Sequence, residues 1–186
     1  MHRIGVRTMG RLIVFDKQND IALLETDADK NQLSEIPFFA PFAKGNEFKF
    51  GKEVYLIGYP KGFLFITKGL LSKAPYKNRF LVSAAFNRGF SGGVVVGFDE
   101  NSEVYRYFGM ANSMAYDSQI ILAPEDESSL LENYKDLPYH DNIFVKELKL
   151  INYGLTFAIK SSLIRDFVEK NREKIRSLGF VLPGDL

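Results

Sequence analysis

Hydrophobic and polar residues alternate along the chain in short runs that are typical of β-strands separated by turns. The pattern predicts strands at residues 11–15 and 21–25, with a polar turn at 16–19 between them. Residues 33–48 contain two prolines and no clear period, and we interpret them as a loop with one strand at most. Three further β-rich runs follow at the spacing of an all-β barrel, at residues 53–60, 63–71 and 79–85.

Two segments interrupt the strand pattern. Residues 161–178 predict a helix, which Ser161 or Ser162 can cap and which Gly179 ends. Its apolar residues recur on one side at helical spacing: Leu163, Ile164, Phe167, Val168 and Ile175. Residues 117–141 are long and acidic, and we interpret them as an insertion that forms a solvated loop, with a regulatory or docking loop as the alternative.

The composition fits one globular domain and argues against several classes of partner. With 186 residues, 46% of them hydrophobic, the chain is long enough to bury a core. The 24 basic and 23 acidic residues nearly balance, and no basic run is interleaved with aromatics, so nucleic acid is not an expected partner. No signal peptide or membrane-spanning run is visible, which predicts a soluble chain. Cysteine is absent, and no metal or other cofactor is expected.

The candidate chemistry lies in the glycine-rich run Gly-Phe-Ser-Gly-Gly at residues 89–93, directly before three valines. Glycines permit a sharp turn that leaves the N–H groups of Gly89 and Ser91 free to bind a developing oxyanion. Ser91 is therefore the candidate nucleophile, and it needs a histidine base and a carboxylate that orients the histidine. Asp20, at the start of an apolar strand, is the best candidate carboxylate, although a turn or capping aspartate has the same appearance.

Four motifs stand in order along most of the chain, at residues 19–25, 50–72, 84–93 and 153–162. The second contains Gly-Tyr-Pro-Lys-Gly followed by Ile-Thr-Lys-Gly-Leu-Leu-Ser, and the third contains the glycine-flanked serine. Together they resemble the motifs of trypsin-like serine peptidases, especially the protease domains of the bacterial HtrA (Deg) group. The resemblance implies hydrolysis of peptide bonds in a protein or peptide substrate. Neither the oligomeric state nor the cellular compartment follows from it.

The resemblance also implies a fold: a single all-β domain, a trypsin-like double barrel with an incomplete N-terminal barrel. Residues 1–75 are expected to form the remnant of the first barrel, residues 76–160 the second barrel, and residues 161–178 a C-terminal helix. For the site it implies Ser91 as nucleophile, Asp20 as orienting acid, and the N–H groups of Gly89 and Ser91 as oxyanion hole. A specificity pocket for a small or medium apolar residue is implied at three positions: Ala85, Leu155 and Thr156.

The sequence departs from the family pattern at three points of the site. Phe90 stands where the family usually carries a small or polar residue, and it is expected to crowd the leaving-group side. Thr156 replaces a customary glycine and is expected to narrow the pocket. The family's histidine lies further upstream of the aspartate than this chain extends, so we expect a chain truncated before its catalytic histidine and inactive as it stands.

Other interpretations stay open because the base is missing from the expected place. One alternative is that the chain is a catalytically dead binding module. Another is that His2 or a histidine of a partner serves as the base. His2 precedes Asp20, as the family order requires, but by too few residues. Gly-Phe-Ser-Gly-Gly also fits the nucleophile elbow of α/β-hydrolase esterases, with His140 as base and Asp126 or Asp136 as acid. An elbow needs a helix directly after the serine, whereas residues 94–96 predict a strand.

Overall fold

The described part of the chain consists mainly of antiparallel strands followed by two helices. The computed structural model describes residues 10–26, 41–84, 89–124, 142–180 and 182. The strands are β1 (Gly10–Asp16), β2 (Ile21–Thr26), β3 (Glu53–Gly58), β4 (Phe65–Lys73), β5 (Arg79–Val82), β6 (Val94–Asp99), β7 (Val104–Pro124) and β8 (Ile143–Lys160). The helices are α1 (Ser161–Lys170) and α2 (Arg172–Ser177), and short 3-10 turns lie at Gly45–Glu47 and Pro60–Gly62. The helices of the described ranges are too short or too polar to cross a membrane.

Six strands close into a barrel in the order β3-β4-β5-β8-β7-β6, whereas β1 and β2 form a separate two-stranded sheet. Along β3 and β5 alternate side chains point inward, as the two-residue period of a strand requires. Four large residues that are fully or almost fully buried dominate the barrel core: Leu56, Leu71, Phe80 and Phe108. The mostly β architecture with a closed barrel and a C-terminal helix confirms the predicted fold class.

The barrel starts at β3, and this corrects the boundary expected at residue 75. Both β3 and β4 belong to the closed barrel, because β3 pairs with β6 and β4 pairs with β5. The pairing of β3 with β6 joins segments about 40 residues apart in sequence, which the local strand pattern does not encode. Residues 53–73 therefore belong with the second half of the chain.

The segment expected to be a solvated loop at residues 117–141 is in part a strand. Residues 117–124 of β7 pair with residues 143–150 of β8, which extends the hairpin beyond the barrel as a two-stranded arm. The acidic residues that suggested a loop follow this strand, and residues 125–141 lie outside the described part. Residues 118–123 are Ser-Gln-Ile-Ile-Leu-Ala, a run whose β-branched and apolar residues favour strand pairing.

The predicted C-terminal helix is present as α1 and α2, with a break at Asn171. Phe167 and Ile175 are its buried residues, in agreement with the predicted apolar side. The expected serine cap is wrong: α1 begins after Lys160 without a side-chain cap. Ser161 is instead fully buried, and its hydroxyl has no hydrogen-bond partner in the described part of the chain.

Candidate active site

Asp20 closes the turn between β1 and β2. The carboxylate of Asp16 shapes this turn by accepting hydrogen bonds from the N–H groups of Gln18 and Asn19 and from the Asn19 side chain. The Asn19 side chain, more than any other group, holds the pKa of Asp16 below its ordinary value. Asp20 then adopts a left-handed backbone with φ of 57°, which is uncommon outside glycine but tolerated by aspartate. The turn thereby leaves the Asp20 side chain exposed at one end of the two-stranded sheet.

Close backbone packing explains the glycines around Ser91. Gly89 and Gly92 have φ values of 104° and 84°, in the region that favours glycine. A Cβ atom on Gly93 would lie 2.6 Å from the carbonyl oxygen of Ile57, and one on Gly89 would lie 2.8 Å from the Cα of Pro60. The loop is thus pressed against β3 and the turn that follows it, and larger residues do not fit at these two positions.

The loop is tied to β7 in a way that leaves two N–H groups available. The N–H of Gly92 donates to the carbonyl oxygen of Ala111, and the N–H of Ala111 donates to that of Gly93, each at 2.8 Å. Among the described residues, the N–H groups of Gly89 and Ser91 have no acceptor. Gly89 and Ser91 are both exposed, so these donors are accessible to an external oxygen atom.

Phe90 does not crowd the surface, which corrects the expectation from the sequence. Its side chain is fully buried in the barrel core, and its ring centroid lies 5.8 Å from that of Phe65 in an edge-on arrangement. Because the tight glycine turn places Ser91 outward, its neighbour Phe90 faces inward. Gly58 gives the ring its space, since a Cβ atom there would lie 2.7 Å from the Phe90 ring.

Asn112 brings the two predicted catalytic residues together. Its side-chain amide donates to the carboxylate of Asp20 at 2.7 Å, and its main-chain oxygen accepts a hydrogen bond from the Ser91 hydroxyl at 3.1 Å. Asp20 and Ser91, 71 positions apart in sequence, therefore lie on either side of one residue of β7. The sequence analysis did not identify Asn112. The sequence feature that could have identified it is the polar pair Asn112–Ser113 inside an otherwise apolar run of β7.

A bulge in β7 and an arginine of β5 hold Asn112 in place. The register of β7 against β8 shifts between Ala111 and Ser113, so that Asn112 is the extra residue. Such a bulge redirects a side chain out of the regular pattern. The Asn112 side-chain oxygen accepts hydrogen bonds from Arg79 at 2.5 Å and from the Ser113 hydroxyl at 3.3 Å. Since that oxygen faces two donors, the amide nitrogen is directed to Asp20.

Leu155 and Thr156, two of the three residues expected to line a specificity pocket, lie on β8. Residues 153–155 fall in an irregularity of β8, because Met114 pairs with Thr156 while the next residue, Ala115, pairs with Asn152. Leu155 is 36% exposed, whereas Thr156 is fully buried in the barrel, and its hydroxyl has no partner among the described residues. Ala85 lies outside the described residues. A pocket formed by these three residues stays a prediction.

Neither histidine of the sequence belongs to the described part, since His2 and His140 fall in residues 1–9 and 125–141. The described residues also contain no cluster of acidic side chains that could hold a metal ion. The esterase alternative is wrong, because the strand β6 rather than a helix follows the Ser91 loop. What the structure assembles around Asn112 is a serine, an aspartate and two N–H groups that have no acceptor in the described part of the chain.

The fold is that of trypsin-like serine proteases. The serine endoprotease from Yersinia pestis superposes with a TM-score of 0.56 at 21% identity, covering 91% of this chain and 45% of that protein. A variant of the HtrA-type protease AlgW, solved with a decapeptide, gives a TM-score of 0.58 at 18% identity over 92% of this chain and 42% of its own. A protease from M. tuberculosis in its active form gives 0.51 at 15% identity, with coverage of 95% and 61%.

This chain spans less than half the length of the first two of these proteins. At such low identities the likeness establishes the fold, and the chemistry depends on the residues of the chain itself. No family model and no curated protein sequence matches the chain.

Proposed function

We propose that this chain is a serine endopeptidase domain that cleaves peptide bonds through an acyl-enzyme on Ser91. The observation that carries the proposal is the convergence of Ser91 and Asp20 on Asn112. These two residues are the nucleophile and the orienting acid that the sequence predicts. The proteases with the same fold support peptides or proteins as the substrate class.

The chemistry assigns one role to each group. The Ser91 oxygen attacks the peptide carbonyl carbon while a histidine takes the hydroxyl proton, and the same histidine returns that proton to the departing amine. The carbonyl oxygen becomes an oxyanion that the free N–H groups of Gly89 and Ser91 bind. Asp20 orients the imidazole and stabilises its protonated form. Water then releases the acyl group, with the histidine again acting as base.

The proposal requires a histidine that the described residues do not supply. We assign the base to a histidine that precedes Asp20, in accordance with the order histidine, aspartate, serine of this fold. His2 is one such residue, and a histidine of a longer form of the chain or of a partner is the other source. In the structure the Ser91 hydroxyl donates to the main-chain oxygen of Asn112, and the base must take over this hydrogen bond.

A second candidate function is that of a protease-like module that binds peptides without cleaving them. The observation in its favour is the same hydrogen bond: a main-chain carbonyl oxygen is far too weak a base to activate Ser91. Such a module would keep the fold and the groove of a protease while its serine stays an ordinary hydroxyl.

Labelling with a fluorophosphonate distinguishes the two functions, because this reagent forms a covalent bond only with an activated serine. We would incubate the 186-residue chain, and a chain extended by its in-frame upstream codons, and read the mass of the intact proteins. Endopeptidase function predicts one adduct on the extended chain and none on its Ser91→Ala variant. Asp20→Asn should slow labelling by on the order of 10⁴-fold, the loss expected when the imidazole takes the wrong tautomer.

Each other result has a definite meaning. Labelling of the 186-residue chain that His2→Gln abolishes would assign the base to His2. His140→Gln should change nothing, because the fold excludes the esterase arrangement. Failure to label either chain, with both shown to be folded by circular dichroism, would reject an endopeptidase whose base belongs to this protein and would favour the binding module.

A further inference from the structure

An open groove of about 920 Å³ lies beside Asn112, between the β1–β2 turn and the hairpin that joins β4 to β5. Residues of β7 and β8 lie along it, and Tyr76 and Phe157 form an aromatic wall with ring centroids 6.1 Å apart. The hairpin is held in place, since the Lys160 ammonium donates to the carbonyl oxygen of Lys77 at 2.7 Å. The groove is therefore a defined feature next to the candidate active site.

The charge of the groove is positive. Among the described residues that line it, Lys77 and Arg79 are cationic and none is acidic. Arg79 lies on the outer face of the barrel because its neighbours on β5, Phe80 and Val82, point into the core. Within the described part of the chain no carboxylate forms an ion pair with Arg79, unlike Arg106, which faces Glu47 and Asp99.

Arg79 is fixed by Asn112, the residue that also contacts Ser91. One N–H of its guanidinium donates to the Asn112 side-chain oxygen at 2.5 Å, which leaves four N–H donors of the fork available. A guanidinium fork matches the geometry of a carboxylate and can bind both of its oxygen atoms. A half-buried arginine that is oriented but not neutralised is suited to an acidic ligand.

The edge of β7 determines how a peptide can reach this arginine. Within the described ranges, the pairing of β7 on its β6 side ends at Ala111, whereas its pairing with β8 continues to Pro124. An extended peptide can therefore add to residues 112–116 as a further strand. If the peptide runs antiparallel to β7 and its reacting carbonyl lies at Ser91, the peptide residues that precede this carbonyl lie along residues 113–116 of β7. Alternate side chains then project over the groove.

We propose that this groove selects peptides with a glutamate or aspartate two to four residues before the bond at Ser91, and that Arg79 and Lys77 recognise the carboxylate. The direction of the peptide rests on the endopeptidase function proposed above, whereas the acidic preference rests on the groove. This acidic preference is separate from the preference for an apolar residue directly before the cut. Asn112 lies between Ser91 and the groove, so the groove binds peptide residues further from the cut.

Binding to the Ser91→Ala variant tests this inference without any cleavage. The probes are two fluorescein-labelled alanine hexapeptides, one with glutamate and one with glutamine at the second and third positions, followed by fluorescence anisotropy. A charge-assisted contact with a half-buried arginine predicts that the glutamate peptide binds about tenfold more tightly. Added salt should weaken the glutamate peptide and leave the glutamine peptide nearly unchanged.

Variants of the groove locate the preference. Adding Arg79→Met to Ser91→Ala should reduce the ratio of the two affinities to near one, and Arg79→Lys should keep part of it. Lys77→Met should lower the ratio of the two affinities and leave the contacts of Asn112 unchanged. This variant therefore separates recognition of the carboxylate from any effect that Arg79 has through Asn112. The matched control is Arg176→Met, an exposed arginine of α2 outside the groove, which should leave the ratio intact.

The outcomes separate this inference from the proposed function. Equal affinities for the two peptides, or no saturable binding of either, would overturn the acidic groove even if Ser91 of the native chain reacts with a fluorophosphonate. Selective binding of the glutamate peptide without such labelling would instead reject an endopeptidase whose base belongs to this protein and keep the groove as the peptide site of a binding module.

Discussion

A single residue, Asn112, gives the candidate site its geometry. Its amide connects Asp20 to Arg79, and its main-chain oxygen meets Ser91. An asparagine at this place can serve as donor and acceptor at once, whereas an aspartate would leave Asp20 without a donor and a leucine would leave both partners without a match. The arginine that fixes Asn112 also faces the groove, so that one side chain links the site to the proposed selection of substrate.

Phe90 shows how a residue of the candidate active-site loop can pack in the barrel core. We expect Phe90→Ala to lower the free energy of unfolding by about 3–5 kcal/mol, because it leaves a cavity where a fully buried ring was packed. Urea denaturation followed by circular dichroism measures this change. The matched control is Phe63→Ala, since that ring is 74% exposed and should change stability by no more than about 0.5 kcal/mol. Equal effects of the two substitutions would contradict the inward placement of Phe90.

At the scale of elements, the turn between β6 and β7 depends on one carboxylate. Asp99 accepts hydrogen bonds from the Ser102 hydroxyl at 2.5 Å and from the N–H of Asn101 at 3.2 Å. The Arg106 guanidinium lies 3.4 Å away and also faces Glu47. The Ser102 hydrogen bond is the largest of the effects that hold the pKa of Asp99 below its ordinary value, against an opposing contribution from burial.

This lowered pKa predicts a pH dependence of stability. The folded protein binds the Asp99 proton less tightly than the unfolded chain, so the stabilisation is complete above the ordinary aspartate pKa and is lost as the pH falls through the lower folded value. We therefore expect Asp99→Asn to lower the Tm at about pH 7, and the difference from the unsubstituted protein to shrink below about pH 4.

Thermal denaturation across this pH range is the measurement. Asp166→Asn is the control, because it removes an exposed carboxylate of α1 that makes no hydrogen bond within the described residues. A Tm difference for Asp99→Asn that stays constant down to about pH 2.5, well below the ordinary aspartate pKa, would contradict the assignment.

At the scale of the whole molecule, α1 joins the sheet that carries Asp20 to the barrel that carries Ser91. Phe167 of α1 packs in one cluster with Ile21 of β2 and Ile159 of β8. Met110 of β7 contacts the same cluster. The position of Asp20 against Asn112 thus depends on the packing of α1 against both parts.

We expect Phe167→Ala to loosen the two-stranded sheet more than the barrel. Hydrogen exchange should accelerate at the amides of β1 and β2, while the amides of β3 and β6 stay protected, because only the former sheet depends on this cluster for its docking. Mass spectrometry of peptic fragments measures both regions. Ile175→Ala is the matched control, since Ile175 is almost fully buried but lies outside this cluster. Equal acceleration in both variants would show that the sheet does not depend on α1.

The sequence by itself determined the features that arise from neighbours along the chain. The alternation of apolar residues predicted β1, β2 and β3, and the helical spacing predicted α1 and α2, because both patterns follow from local backbone geometry. The glycines around Ser91 predicted a tight turn for the same reason. These are properties of short segments, whereas the double-barrel fold class was implied by the resemblance of four ordered motifs to those of trypsin-like peptidases.

Only the tertiary structure decided what distant segments do to one another. It placed β3 and β4 in the barrel, directed Phe90 inward, extended β7 and β8 into an arm and brought Asn112 between Asp20 and Ser91. Each of these depends on which strands pair and where a bulge falls in their register. Pairing between remote strands depends on the whole chain, because it is determined by burial and hydrogen bonding summed over the barrel. The residues next to a strand in sequence do not determine it.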